Sequence, residues 1–276
     1  MSTSIAPRQI RLKRVPITAK MWPDIKLLWK EMIAALTSRR WAWLAATATF
    51  LLVVFLFLFP RDAEVLRAVQ LKQSPDKALR SDLKELSGEI GRWGDFAGYN
   101  LFLVIAVWGG GRVCRSRYFQ RLAVASMLCA IMAGLAANVF RFTTGRPRPN
   151  AIAKKGIPDG WYGPQVKWDF NSFPSGHTAT AFGSSIPLAV AMPVVGVPAL
   201  ICASSVCWAR MYGNQHHPSD VAVAIWIAIL FGIPLGQAVR RTRFVKAAGD
   251  PEGDYGVDED DAGEIVEVGE ARVGQI

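Results

Sequence analysis

Residues 41–60 read WAWLAATATFLLVVFLFLFP, twenty positions without a single charge. At 1.5 Å of rise per residue, a helix of that length reaches about 30 Å, the thickness of a bilayer's hydrocarbon core. This stretch predicts a membrane span, and the chain on either side repeats the pattern. Further apolar stretches run over residues 96–111, closed by Gly109-Gly110-Gly111, and over 122–140, whose Ala, Gly and Ser content suits a helix packed against other helices. A fourth runs from about Pro174 to Met192. Pro193-Val-Val-Gly196 reads as a tight hairpin into a fifth, which ends near Ala209, and residues 221–239 make a sixth.

The charges beside these spans set their direction. Residues 1–40 carry nine Lys or Arg against Asp24 and Glu31 alone. Arg112, Arg115, Arg117 and Arg121 follow the second span with no acid among them, and Arg240, Arg241, Arg243 and Lys246 close the sixth. An excess of Lys and Arg marks cytoplasmic loops, so both termini are expected in the cytoplasm. The net charge of +10 lies in these short runs beside apolar segments. Anionic lipid headgroups are therefore the expected partner, and nucleic acid is not; the acidic end at residues 250–270 argues the same way.

Two stretches outside the spans are amphipathic. Pro23-Asp24 suits a helix start, and Ile25, Leu28, Trp29, Met32, Ile33 and Leu36 then recur at three-and-four spacing. That predicts a helix on the cytoplasmic membrane surface. Charges interrupt it and no small-residue cleavage site follows, so it is not a signal peptide. Residues 61–95 hold seven basic and seven acidic side chains. Within them Leu79, Leu83, Leu86, Ile90 and Trp93 mark a second amphipathic helix on the far side, set off from the first span by Ser74-Pro75. The tail from Gly249 onward is acidic and Gly-rich and is expected to be disordered. The expected fold is an all-α, integral membrane six-helix bundle with amphipathic interfacial helices. Its expected units are residues 1–40, 41–95, a core at 96–240 and a tail at 241–276. There are no internal repeats. The four cysteines form no CxxC pair and read as small apolar residues, not as metal ligands.

The chemistry is confined to three polar islands, which hold all three histidines. They are Arg141-Phe-Thr-Thr-Gly-Arg-Pro-Arg148-Pro149, Pro174-Ser175-Gly176-His177 and Arg210-Met-Tyr-Gly-Asn-Gln-His216-His-Pro-Ser-Asp220. In a six-span layout all three fall on the outer face. Arginine forks match phosphoryl oxygens bidentately and stay charged at any working pH, which makes Arg141, Arg148 and Arg210 candidate phosphate ligands. Singly, each can equally be a helix-end Arg reaching to the headgroups. Pro174-Ser175-Gly176 opens a helix whose first N–H groups lack partners, an anion site or an ordinary capped start, and His177 beside it can donate a proton. His216 and Asp220, four apart, share a helix face. A carboxylate accepting from one ring nitrogen leaves the other as a nucleophile, although the pair also suits a plain helix entry after Pro218. His217 has no partner at useful spacing and reads as structural. Lys154, Lys155, Lys167, Trp161 and Trp168 either grip a headgroup or are solvated charges and interface-anchoring aromatics.

Over residues 96–240 the islands resemble the type 2 phosphatidic acid phosphatases, whose wider superfamily includes the vanadium haloperoxidases. The family's first motif is a basic residue, six others, then Arg-Pro; here it runs from Arg141, where Lys is commoner, to Arg148-Pro149. The second, Pro-Ser-Gly-His, matches in full at Pro174 to His177. The third is usually Ser-Arg, five residues, His, three residues, Asp; here Ala209 replaces the Ser before Arg210, His216 and Asp220.

The resemblance implies that His216 attacks phosphorus and forms a phosphohistidine, with Asp220 orienting it. His177 would protonate the departing oxygen and then activate water. Arg141, Arg148, Arg210, Ser175 and Gly176 would hold the phosphoryl oxygens. Arginine supplies the cations, so no metal and no other cofactor is implied. The implied substrate is a lipid phosphate or diphosphate: undecaprenyl diphosphate, phosphatidic acid or phosphatidylglycerol phosphate, or lipid A phosphate. The implied setting is a bacterial-type inner membrane with the site at its outer face. Alternatives are a lipid phosphotransferase on the same site and a haloperoxidase, which six spans disfavour. A membrane protein without activity would be expected to lack some of the charged groups, and all are present.

Overall fold

A computed structural model describes residues 21–70, 76–93 and 96–247 of the chain; the acidic tail and the Ser74-Pro75 break lie outside them. Among the described residues every regular element is helical. The order is α1 (Met21–Ser38), α2 (Arg40–Val53), α3 (Asp62–Val69), α4 (Lys77–Trp93), α5 (Leu101–Val113), α6 (Arg117–Thr144), α7 (Pro149–Lys155), α8 (Gly176–Ala191), α9 (Pro193–Tyr212) and α10 (Pro218–Ala247). A π-helical turn, Val54–Leu58, and a 3₁₀ turn, Phe59–Arg61, carry α2 into α3.

Four stretches are long and apolar enough to cross a bilayer: Arg40–Val69, Arg117–Lys155, Pro193–Tyr212 and Pro218–Thr242. By length and composition this is a multi-pass membrane protein. The other two expected spans are helical but shorter: α5 has 13 residues and α8 has 16.

The body is built on α6, α8 and α10, which pack on one another, with α9 against α8 and α5 against α6. Small residues make this possible. Ala130, Ala133, Ala137 and Gly134 of α6 are buried, and a Cβ on Gly183 of α8 would sit 2.8 Å from the Ala130 Cα. Backbones that approach this closely need Gly or Ala at the contact, as in other membrane helix pairs.

Two expectations drawn from glycine need correcting. Pro193–Gly196 is the first turn of α9 and not a hairpin; the chain reverses at Met192 instead. Gly196 serves the helix contact, because a Cβ there would overlap the Ala189 backbone. Likewise the triple glycine does not end α5, which continues to Val113. Residues 141–173, between the third and fourth expected spans, contain the last turn of α6 and all of α7.

The first span touches the body mainly near its end. α2 buries none of its side chains, although Phe50 stacks on Trp226 of α10 at 4.6 Å. Val54 is the first buried position, and the chain then delivers Asp62 and Leu66 into the interior. At the opposite end, α1 turns Leu28 and Met32 onto α6 and α10, while Trp29 and Ile33 stay exposed. Asp24 accepts from Arg121 at 2.9 Å and pairs with Arg117 at 3.4 Å, which ties α1 to the start of α6.

Candidate active site

The three islands meet because four helix ends do. α6 and α9 end, and α8 and α10 begin, at one end of the bundle. Gly145 ends α6 in the left-handed region, φ 62°, where a Cβ would collide with the Gly163 carbonyl; only glycine makes this turn without strain. Backbone bonds then knit the islands together. Ser175 N–H donates to the Asp220 carbonyl at 3.2 Å, Ser172 N–H to the Arg146 carbonyl at 3.1 Å, and Asn150 N–H to the Asn214 carbonyl at 3.0 Å.

His216 sits just ahead of α10, with none of its surface exposed. Its Nδ1 lies 2.7 Å from the Ser172 carbonyl oxygen. A carbonyl only accepts, so Nδ1 carries the proton and Nε2 keeps its lone pair. Nε2 is buried and has no hydrogen-bond partner among the described residues. Burial, first, and then the charges of Arg148, Arg210 and Arg141 hold the imidazole well below the usual histidine range. A neutral, singly oriented imidazole facing three guanidinium groups has the lone pair and the surroundings that attack on an anion requires.

Asp220 was expected to accept from His216, but the geometry differs. Its Oδ2 is 3.9 Å from Nδ1, beyond a hydrogen bond. Oδ2 instead takes Ser172 Oγ–H at 2.5 Å and His217 N–H at 2.8 Å, and Oδ1 takes Arg146 Nη1 at 2.7 Å. Asp220 thus reaches His216 through Ser172, whose hydroxyl it holds and whose carbonyl holds the ring.

The anion-binding half also assembles. Arg141, in the last turn of α6, lies so close over Gly176 that any Cβ there would overlap its guanidinium. Gly176 opens α8 after the fully buried Ser175, whose hydroxyl accepts from Thr178 at 3.0 Å, and His177 is the next residue of the same turn. Arg148 donates Nε–H to the Trp168 carbonyl at 3.1 Å and Nη1–H to Gln215 Oε1 at 3.0 Å, and its guanidinium lies 4.0 Å over the Trp168 ring. Arg210 occupies the last turn of α9, on the same side.

Sequence reasoning missed Arg146, Ser172, Ser219 and Asp62. Arg146, wholly buried, donates to Asp220, to Ser219 Oγ at 2.8 Å and to Asp62 Oδ2 at 2.8 Å, with Asp159 at 3.4 Å. Three of the four were within or beside the quoted motifs, read only as spacer: Arg146 in the first island, Ser219 in the third and Ser172 two positions before Pro174. Asp62 had a signal too, an ionisable residue at the end of an apolar span. His217, expected to be structural, has its Nε2 3.2 Å from the Pro147 carbonyl. Of the loop residues, Trp168 packs on Arg148, Trp161 stacks on Phe59 at 5.7 Å, and Lys155 pairs with Asp169 at 2.5 Å.

Four helix ends bring two histidines, an aspartate and three arginines together, an arrangement chemically suited to receiving a phosphoryl group. Residues 122–243 match the family model of the PAP2 superfamily. The chain is 26% identical over 174 residues to the "Probable diacylglycerol pyrophosphate phosphatase 1" of Schizosaccharomyces pombe, covering 52% of this chain and 61% of that one. It is 28% identical over 136 residues to a lipid A 1-phosphatase of Porphyromonas gingivalis, covering 48% and 27%. The crystal structure of Aquifex aeolicus LpxE superposes with a TM-score of 0.43 at 22% identity, over 63% of this chain and 94% of that one. The chain thus spans less than two thirds of the length of both curated relatives.

Proposed function

We propose that the chain is a membrane phosphatase that removes a phosphate from a lipid phosphate or diphosphate through a phosphohistidine intermediate. The observation that carries this reading is the His216 Nε2 lone pair, buried and unpartnered beside Arg141, Arg148 and Arg210. Nε2 attacks phosphorus and the ester or anhydride oxygen departs, protonated by His177. The same His177 then takes a proton from water, which releases phosphate and restores the imidazole. Positive charge that builds on His216 during attack is met by Asp220 at 3.9 Å. Arg141, Arg148, Arg210, the Ser175 hydroxyl and the Gly176 N–H hold the equatorial oxygens.

The relatives' names, diacylglycerol pyrophosphate phosphatase and lipid A 1-phosphatase, support a lipid phosphate as the substrate class. The candidates stay those implied by the motifs. The six-span topology is proposed with α5 and α8 as its two short members. Both termini then lie in the cytoplasm and the islands at the outer face of a bacterial-type inner membrane. The test is phosphate release by the full chain in detergent, with EDTA, on a panel of lipid phosphates and diphosphates, beside His216→Ala. Release by wild type and a loss of about 10⁴-fold or more in the variant are expected. Equal release by both sinks the nucleophile assignment. Silence of wild type, unless a second lipid is added as phosphoryl acceptor, favours a phosphotransferase over a hydrolase.

A further inference from the structure

Asp62 lies outside the three islands and outside the stretch that matches the superfamily model. It opens α3 at the end of the first span, yet it is 3% exposed and makes three bonds into the site. Its Oδ1 accepts Ser219 N–H at 2.8 Å. Its Oδ2 accepts Arg146 Nη2–H at 2.8 Å and the hydroxyl proton of Ser219.

Ser219 is the second residue of α10, where a backbone N–H has no acceptor within the helix. Helices commonly meet that need with a side chain at the residue before the first turn, paired reciprocally with an acid three positions on. Asp220 supplies one half of that arrangement by accepting His217 N–H. His217 does not supply the other, since its Nε2 turns to Pro147 and its Nδ1 bonds nothing among the described residues. Asp62 supplies it from a different helix.

The same carboxylate balances charge. Arg146 is a wholly buried cation between two buried acids, Asp62 and Asp220. A continuous chain of contacts therefore runs from Asp62 through Arg146 and Ser219 to Asp220, from Asp220 to the Ser172 hydroxyl, and from the Ser172 carbonyl to His216 Nδ1. We propose that Asp62 is a positioning residue for the phosphoryl-transfer step: it caps α10 in trans and shares Arg146 with Asp220, and so fixes the line of attack of His216. The proposal rests on the phosphatase reading above and adds the first span to the machinery.

The test measures kcat and KM of the full chain in detergent on dioctanoyl phosphatidic acid, or on the faster lipid of the panel, for wild type, Asp62→Ala, Asp62→Asn, Ser172→Ala and the Asp62→Asn/Ser172→Ala pair. Misalignment of a nucleophile by about 1 Å can slow a reaction about 100-fold, so Asp62→Ala should lose about that much kcat with KM within about threefold. Asp62→Asn keeps an oxygen for Ser219 N–H and should recover at least about tenfold of the loss. Because both positions act through Asp220, the double variant should fall no more than about threefold below its worse parent. A role in folding alone would lower the yield of active protein and the unfolding temperature without this kcat-over-KM split, and the two single effects would multiply. Should Asp62→Ala not fold, the Asn variant and the double-variant cycle decide the matter. Wild-type kcat in an Asp62 variant, an effect confined to KM, or factors that multiply overturn the proposal and leave the phosphatase reading standing. Silence of wild type overturns both.

Discussion

Arg146 and Arg148 are separated by one proline, and both are buried, yet they meet opposite partners. Arg146 faces carboxylates: Asp62, Asp220 and the more distant Asp159. Among the described residues the Arg148 side chain bonds and stacks on neutral groups only, the Trp168 carbonyl and ring and the Gln215 amide oxygen. The first is a closed structural cation. The second is a guanidinium whose hydrogen bonds are partly made but whose charge is not balanced by a bonded acid. Burying an uncompensated charge costs several kcal/mol, which a fold keeps only where an anion is to be received. His216 lies at the seam, its proton side toward the carboxylate half through Ser172 and its lone pair toward the arginine half. Burial alone would not tell the two arginines apart; their partners do.

That contrast predicts opposite phenotypes. Arg146→Gln leaves Asp62 and Asp220 buried without their shared cation and should cost about 3–5 kcal/mol of stability. Thermal unfolding in detergent, followed by tryptophan fluorescence, would register the drop in midpoint. Arg148→Gln should leave that midpoint nearly in place while kcat/KM falls about 10²–10³-fold, the usual loss for one charge-stabilising donor. Arg148→Lys keeps the charge but not the planar fork, so it should recover only part of the rate. If Arg148→Gln destabilises as much as Arg146→Gln, the division between a structural and a receiving arginine fails.

A smaller effect lies in pH. Burial and the three arginines hold His216 below its ordinary range, so in the free enzyme the ring stays neutral, and nucleophilic, as pH falls through about 6.5. The acid limb of kcat/KM should therefore lie below 6.5, once corrected for the substrate's own second ionisation. Arg148→Gln removes one of the depressing charges and should move that limb upward. The linked effect on stability has a fixed sign. Below about pH 6.5 the unfolded chain takes up a proton that the folded site refuses, so stability present above that pH is lost as pH falls toward the folded value. An acid limb at or above 6.5 in wild type, unmoved in the variant, would argue against a nucleophile set among these arginines.

The halves of the site were not equally legible in the sequence. Arg141, Arg148, Ser175, Gly176, His177, Arg210, His216 and Asp220 sit in short runs whose spacing carries the chemistry, and the fold brings those runs to one end of the bundle. The carboxylate half is assembled across elements. Asp62 stands 84 positions from its partner Arg146 and 157 from Ser219. No local pattern relates an acid after one span to a helix start so far along the chain. The helical class was legible from apolar runs alone, but helix ends were not, because Gly109–Gly111 and Gly196 answer to helix packing, not to local turn preference. The link between His216 and Asp220 was misread for a related reason. Spacing of four places two residues on one face of a helix, and His216 lies just before the helix begins.

The smallest predicted effect separates two readings of the outer loop. Trp168 is half exposed, as an interface anchor would be, but its ring covers the Arg148 guanidinium at 4.0 Å and its carbonyl holds Arg148 Nε–H. Trp168→Ala keeps the carbonyl and removes only the ring. A partly exposed cation–π contact is worth about 1 kcal/mol, so KM should rise about fivefold, with Trp168→Phe recovering most of it. If the ring serves Arg148, a short-chain lipid phosphate below its micelle concentration and a long-chain one in vesicles should lose affinity alike, since both present the same phosphate. A loss seen only with vesicles would assign Trp168 to the bilayer surface and leave Arg148 held by its neutral oxygens alone.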